Sequence, residues 1–290
     1  MCSYYQWLFS CYSCQQGGYW LKGITIPLPS LVERSSEKGI IYKYRAKFTS
    51  FEVVKLEMQA LILAGGLGKR LRTVVSDRPK PMALINGKPF LEYQICFLAG
   101  QGVKDIVLCL GYFHQQIMEY FGDGQRFGVR LTYSIEHKPL GTGGAIKKVE
   151  PQPKQTFLVL NGDTYFEIGL YELVKAHREG GGLATLALVE VEDASRFGVV
   201  SLDCQGFITS FAEKSSLGPG LINGGIYVFE PSVLDYIPPR TQVSLEEEVF
   251  PALVELKLLR GHVAQGYHID IGTPESYAQA QRELPRRFIR

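Results

Sequence analysis

Behind the apolar run "LILA" the chain places Gly65, Gly66 and Gly68, then a set of cations that includes Arg70 and Lys80, the latter between two prolines in "RPKPM". Glycine has no Cβ, so the backbone N–H groups of such a loop can close on phosphate oxygens, which a guanidinium or ammonium then neutralises. Leu63 and Ala64 end the apolar run and deliver the loop to its ligand. The chemistry these residue types allow is the binding of a small polyanion. Two familiar phosphate loops do not fit the spacing. A Walker A loop needs glycine where Leu63 stands and serine or threonine where Arg70 stands, and a dinucleotide fingerprint begun at Gly66 needs glycine where Leu71 stands.

Two carboxylates stand at comparable points. "LVLNGDTYF" puts Asp163 just past an apolar strand, at the carboxyl edge where open α/β sheets hold ligands, and Asp270 in "HIDIGTPESY" is a second such acid. A single strand-end aspartate serves as well as a turn or helix cap. "EHKPLGTGGAIKK" carries Gly141, Gly143 and Gly144, another place where backbone can approach a ligand. The histidines, His114, His137, His177, His262 and His268, have no metal-ligand spacing and read as surface or packing residues. Cys11 and Cys14 form a lone Cys-x-x-Cys with no second pair, and the six cysteines show no framework spacing. Reduced thiols in a cytoplasmic protein are expected.

The elements that must position these residues are regular from Met58 onward. "QALILA", "DIVLCL", "VRLTYSI" and "TFLVLNGD" read as strands, alternating with helical stretches in "PFLEYQICFLAGQG", "HQQIMEYFGDG" and "TGGAIKKV". Such alternation predicts an α/β fold with a Rossmann-like, mixed but mainly parallel sheet flanked by helices on both faces. "RFGVVSLDCQGFITSFAEK" and "GLINGGIYVFE" read as shorter strands beside or extending that sheet, carrying a second substrate site. Further on, "SLEEEVFPALVELKLL" predicts an acidic helix, "GHVAQGYH" a strand, and a closing helix follows "GTPESYAQAQREL". No segment repeats at a fixed period, so no C-terminal β-helix array is expected. Residues 1–57 lack a sustained period and form an N-terminal extension of unassigned role, an upstream start-site artefact or an appendage for partner contact; residues 58–290 form the catalytic-looking domain.

With 31 Lys and Arg against 29 Asp and Glu, the chain is close to neutral and has no electrostatic footprint for nucleic acid. No apolar run approaches the roughly 20 residues of a membrane span, and "MCSYYQWLFS" lacks the basic start of a secretory signal. The partner is therefore phosphate-sized.

Gly-Gly-x-Gly-x-Arg-Leu, a spacer, and then Pro-Lys-Pro resembles the signature of the sugar-phosphate nucleotidyltransferases, which make nucleotide sugars. The resemblance continues through "GKPFLEY", "EHKPLGTGGAI", "LNGDTYF", "FAEK", "INGGIYVF" and "HIDIGTPESY", covering essentially everything after Met58. It implies that a sugar 1-phosphate oxygen attacks the α-phosphate of an NTP and pyrophosphate leaves. Catalysis would then be mostly positioning and charge neutralisation.

By resemblance, Arg70 would bind the leaving phosphates and Lys80 the α-phosphate and incoming sugar phosphate, while Leu63, Ala64, Gly65, Gly66 and Gly68 cradle the nucleotide. Asp163 and Asp270 would hold Mg²⁺. Glu136 would read the base edge, as a carboxylate suits guanine's N–H donors, with Gly141 and Thr142 beside it. Gly198, Glu213, Lys214 and Asn223 would address the sugar phosphate. Within the family the motifs look most like the bacterial D-glycero-alpha-D-manno-heptose 1-phosphate guanylyltransferases, which implies GTP and heptose 1-phosphate as substrates and a product destined for surface polysaccharide or S-layer glycan. Mannose 1-phosphate guanylyltransferases and N-acetylmuramate 1-phosphate uridylyltransferases are the near alternatives. A non-catalytic relative that only binds sugar nucleotides is the alternative of another class. Self-association into a homo-oligomer is compatible with any of these.

Overall fold

The computed structural model describes residues 56–66, 68, 71, 74–212, 218–239 and 242–288. Arg70, Glu213, Lys214, the Cys11–Cys14 pair and the extension up to residue 55 lie outside the described residues. All but a few of the residues after 55 are described, and they fall within one packed unit. That unit is entered before Met58, since Leu56 is already buried with it in the core.

Thirteen strands are present among the described residues: β1 (Gln59–Leu63), β2 (Leu84–Ile85), β3 (Lys88–Pro89), β4 (Asp105–Leu110), β5 (Arg130–Ile135), β6 (Phe157–Asn161), β7 (Thr164–Phe166), β8 (Ala184–Val191), β9 (Val199–Leu202), β10 (Ile208–Ala212), β11 (Gly220–Phe229), β12 (Leu259–Val263) and β13 (His268–Asp270). The α-helices are α1 (Phe90–Gly100), α2 (His114–Phe121), α3 (Gly141–Lys147), α4 (Leu170–Gly180), α5 (Phe250–Glu255) and α6 (Pro274–Arg287). The main sheet runs β10-β9-β11-β6-β1-β4-β5, with β8 against β11 and β12 against β8.

β6, β1, β4 and β5 are mutually parallel, whereas β11 pairs antiparallel with both β6 and β8. From β1 the chain moves outward to β4 and β5, then returns to the opposite side of β1 as β6. The strand order therefore reverses at β1, which opens a crevice beyond the carboxyl ends of β1, β4 and β6. This is the expected mixed, mainly parallel sheet.

Period-2 alternation divides the strands between two cores. Ala60 and Ile62 of β1, Ile106 and Leu108 of β4, and Leu158 and Leu160 of β6 pack on one face with α1, α2, α4 and α6. Leu61, Val107, Phe157 and Val159 pack on the other with α3 and α5. Burial on both faces explains why these strands read as unbroken apolar runs. α1 is similarly apolar on nearly every side, and its residues from Phe90 to Ile95 are all buried.

Two C-terminal expectations need correction. "SLEEEVFPALVELKLL" is not one α-helix: Leu245–Val249 forms a π-helical turn, and α5 continues it only to Glu255. Pro251 has no N–H to donate, but it stands in the first turn of α5, where none is required. "GHVAQGYH" likewise contains the end of one strand and the start of another, because β12 joins the main sheet while β13 leaves it to pair with β7.

The closing helix α6 is held by a capping box. Thr273 Oγ1 accepts from the Ser276 N–H, Ser276 Oγ accepts from the Thr273 N–H, and Pro274 occupies the first helical turn. That cap fixes the chain immediately after Asp270.

Candidate active site

A cleft of about 1200 Å³ opens at the crevice. It is floored by the loops after β1, β4, β5 and β6, and walled on one side by the start of α3 and by Glu246. Leu63, Gly65, Gly66, Gly68, Glu136, Gly141, Thr142 and Asp163 all line it. A smaller adjoining recess of about 230 Å³ shares Gly66, Gly68 and Asp163 and adds Ala64, Lys80 and Gly272. Most of the described residues expected to act on a ligand are thus brought together. Gly198, which leads into β9, Asn223, on β11, and Asp270, at the end of β13, line neither space.

The cationic end is built around Lys80. Its Nζ donates to Asp163 Oδ2 at 2.6 Å, across 83 residues of chain. A methyl group on Gly272 would lie 3.5 Å from that Nζ and 2.5 Å from Asp270 Oδ1, so ammonium and Asp270 converge on the same glycine. The two aspartates are set side by side by the β7–β13 ribbon: Asp270 is paired with Thr164, and the Ile271 N–H donates to the Asp163 carbonyl at 2.9 Å. The Gly272 N–H donates to Asp270 Oδ1 at 2.7 Å, and the Arg196 guanidinium lies 3.8 Å from Asp270 Oδ2.

Oxygen-only donors suit a hard divalent cation. No cluster of three or more His, Cys, Asp or Glu side chains arranged for a metal occurs among the described residues. A pair of carboxylates is nonetheless a donor set Mg²⁺ commonly uses, because substrate phosphates and water complete its shell. The Lys80 ammonium on Asp163 also marks that carboxylate as one that takes a cation.

The other end is organised by Glu136. Its Oε2 accepts from the Leu140 N–H at 3.1 Å. Its Oε1 lies over the backbone of both Gly65 and Gly111: a Cβ built on either glycine would come within 2.9 Å of that oxygen, and one on Gly111 within 2.7 Å of the Gly65 carbonyl oxygen. Two loops and a carboxylate therefore share a space that only residues without side chains can occupy.

Burial holds the Glu136 carboxyl above its ordinary value of 4.5, partly offset by the Leu140 N–H. Ionisation is thus harder in the fold than in the open chain. The penalty is absent below about 4.5, grows as pH rises through the folded-state value, and is constant above it. Glu136→Gln is expected to melt higher than the parent at pH 8, with the gap closing below pH ~4.5; melting scans across that range check it, and a gap of the opposite sign would count against it.

Thr142 is already engaged. Its Oγ1 donates to Glu246 Oε2 at 2.8 Å and accepts from the Leu245 N–H at 2.7 Å, tying α3 to the π-helical turn. π-turns are frequent at functional sites. Asn223 is also partly committed, since its Nδ2 donates to the buried Tyr227 hydroxyl and its Oδ1 accepts from the Gly225 N–H, both at 2.9 Å, across the bulge in β11. One proton and one lone pair of its amide are left over from these two bonds. Arg78 pairs with its neighbour Asp77 on the surface, as a solvated cation does.

Several lining residues went unread in the sequence. Gly111, Tyr112 and Phe113 follow β4, and the strand-end rule that singled out Asp163 applies equally to "LCLGYF". Phe113 has φ 62°, a left-handed conformation uncommon for a bulky residue. His114 and His137, read as surface or packing residues, line the cleft, whereas His177 is buried between Thr185 and Glu230 as a packing histidine. Burial pushes the Cys109 thiol up to about 12, in keeping with an inert cysteine.

Comparison with known proteins agrees with this geometry. The family model for nucleotidyl transferase matches residues 59–287. The chain is 43% identical over 220 residues to a D-glycero-alpha-D-manno-heptose 1-phosphate guanylyltransferase of Campylobacter jejuni, covering 76% of this chain and 97% of that protein. To the protein of the same name from Aneurinibacillus thermoaerophilus it is 40% identical over 229 residues, covering 78% and 98%. The crystal structure of HddC from Yersinia pseudotuberculosis complexed with GMP-PN superposes with a TM-score of 0.70 at 35% identity, over 78% of this chain and 99% of that one. No helix among the described residues is long and apolar enough to cross a membrane. A match that runs from the first strand through α6, with relatives covered almost end to end, leaves one assignment: the chain is an enzyme of the nucleotidyl transferase family.

Proposed function

We propose that the enzyme transfers GMP from GTP to D-glycero-alpha-D-manno-heptose 1-phosphate, releasing pyrophosphate and GDP-heptose, a precursor for surface polysaccharide or S-layer glycan. The observation that carries the reading is the polarity of the cleft and its adjoining recess: an acceptor carboxylate, Glu136, among glycine backbones at one end, and Asp163 paired with Lys80 at the other, with Asp270 behind Gly272 of the recess. The activity for which the two relatives are named supports the choice of sugar and base.

In this reading the base lies against Glu136, whose two oxygens can accept from guanine's N1–H and N2–H₂. Gly65, Gly66 and Gly68 let the β1 loop follow the triphosphate. Asp163 and Asp270 would hold Mg²⁺, which when bound neutralises phosphate charge as a Lewis acid. Lys80, freed from Asp163, places its ammonium on the α-phosphate. The sugar phosphate oxygen attacks the α-phosphorus, the bond to the bridging oxygen breaks, and its electron pair leaves with pyrophosphate. Arg70 is assigned to that leaving group, and Gly198, Glu213, Lys214 and Asn223 to the sugar phosphate. No protein nucleophile is needed, because positioning and neutralisation supply the rate.

A panel of GTP, UTP, ATP and dTTP against the 1-phosphates of heptose, mannose, glucose and N-acetylmuramate, read by pyrophosphate release, tests the proposal. GTP with heptose 1-phosphate is expected to exceed every other pair by about tenfold or more in kcat/KM, which is about 1.4 kcal/mol of discrimination. A UTP preference, or a higher rate with mannose 1-phosphate, would replace the substrate assignment, and release with no pair would favour a binding protein. Glu136→Gln is expected to raise the KM for GTP about tenfold, as a charge-assisted acceptor is lost.

A further inference from the structure

Gln94 lies inside α1, 1% exposed, in a helix whose other buried side chains are mostly apolar. Its Nε2 donates to the carbonyl oxygen of Asn161 at 2.7 Å and to that of Thr164 at 2.6 Å. Those carbonyls bracket Asp163, so a single carboxamide grips the turn on both sides of the aspartate. Both contacts are acceptors, which requires the NH₂ end to face them. The other end of the amide, Oε1, is buried without a hydrogen-bond partner among the described residues.

A buried acceptor left unpaired is costly, and an apolar residue of the same shape would remove that cost. A polar group retained despite it acts through what it holds. Here it holds the Asn161–Thr164 turn, from whose middle the Asp163 carboxylate reaches Lys80 while its carbonyl accepts from Ile271.

We propose that Gln94 is the positioning residue for Asp163: by pinning both flanking carbonyls it fixes where the carboxylate points and thereby sets the enzyme's affinity for its divalent cation. The inference rests on the reading of Asp163 as a metal ligand. Partners one step removed from a metal typically change affinity 10- to 100-fold when lost. Gln94→Met keeps the shape and removes both donors; Gln94→Leu, also without donors, serves if the first variant does not accumulate folded.

Three measurements on the full chain test the proposal. Amide hydrogen exchange without metal or nucleotide should speed up in the segment 161–166 of Gln94→Met, with other core segments unchanged. The Mg²⁺ concentration giving half-maximal turnover should rise about tenfold or more, while KM for each substrate at saturating Mg²⁺ stays within about twofold and saturating Mg²⁺ restores most of kcat. Unchanged Mg²⁺ dependence in the variant would overturn the proposal, as would faster exchange throughout the core, which marks a general loss of stability. Asp163→Asn, run alongside, tests the underlying reading separately: parental Mg²⁺ dependence and turnover in that variant would remove the metal assignment itself.

Discussion

Asp163→Asn is expected to lower kcat by about a thousandfold or more while leaving the melting temperature within a few degrees of the parent. Asparagine fills the same volume and can still accept a hydrogen bond from Lys80 Nζ, so the 2.6 Å contact can persist in weaker, neutral form. What disappears is the negative charge. If Asp163 and Asp270 hold a divalent cation, as proposed, the variant removes one of the two carboxylate charges that would hold it, and the neutralisation of substrate phosphate that the cation would supply weakens. Asp270→Asn should behave similarly, because the β7–β13 ribbon sets the two aspartates side by side. Steady-state turnover with GTP and sugar 1-phosphate over a range of Mg²⁺ and Mn²⁺ concentrations is the measurement. Near-parental rates with either variant would mean that the carboxylate's pairing with Lys80 or Arg196 is its whole role.

Gly141→Ala is expected to be the most damaging single methyl addition in the cleft. Gly141 has φ +72°, a conformation that costs an L-residue about 1–2 kcal/mol. The added Cβ would also lie 2.3 Å from the carbonyl oxygen of Val243, a backbone atom that cannot rotate aside. That carbonyl already accepts the Gly143 N–H at 2.9 Å, and the Val243 N–H donates to the Leu140 carbonyl at 2.8 Å. These bonds couple the start of α3 to the segment bearing Glu246. Relief of the clash must break them, so a total loss of about 3 kcal/mol or more is expected. For a chain of this size that lowers Tm by roughly 6–12 °C.

The KM for GTP should rise as well, since Thr142 and Glu246 would separate. Gly66→Ala is the control for stability: its Cβ would meet nothing within 4 Å, so its melting temperature should match the parent's. Equal Tm values for the two variants would show that the α3 start adapts more freely than its bonds imply.

Both predictions concern residues that were visible in the sequence for local reasons. Glycines behind a buried strand, a lysine between prolines and aspartates at apolar strand ends are patterns of a few residues, and their chemistry follows from side-chain type. The strands β1, β4, β5 and β6 were legible for the same reason, because burial on both faces leaves an unbroken apolar run. The acidic segment from Ser244 misled, since α- and π-turns share nearly the same apolar spacing over so short a stretch; Leu245 and Val249 are both buried whichever forms.

Other features arise only in three dimensions. Lys80 and Asp163 are 83 residues apart, and Thr142 and Glu246 are 104 apart, so no window of sequence contains either pair. Gln94 carries no signal in the sequence, a polar residue in a mostly apolar helix, and its role shows only where its amide meets the turn that carries Asp163. Gly111 gains its meaning from Glu136 and Gly65, which reach it from two other strands. The sequence by itself determined which atoms can carry charge, accept protons or leave room for a ligand, because those properties belong to individual residues. Which of them face one another was decided by the reversal of strand order at β1 and by the β7–β13 ribbon, since distance between side chains is a property of the folded backbone alone.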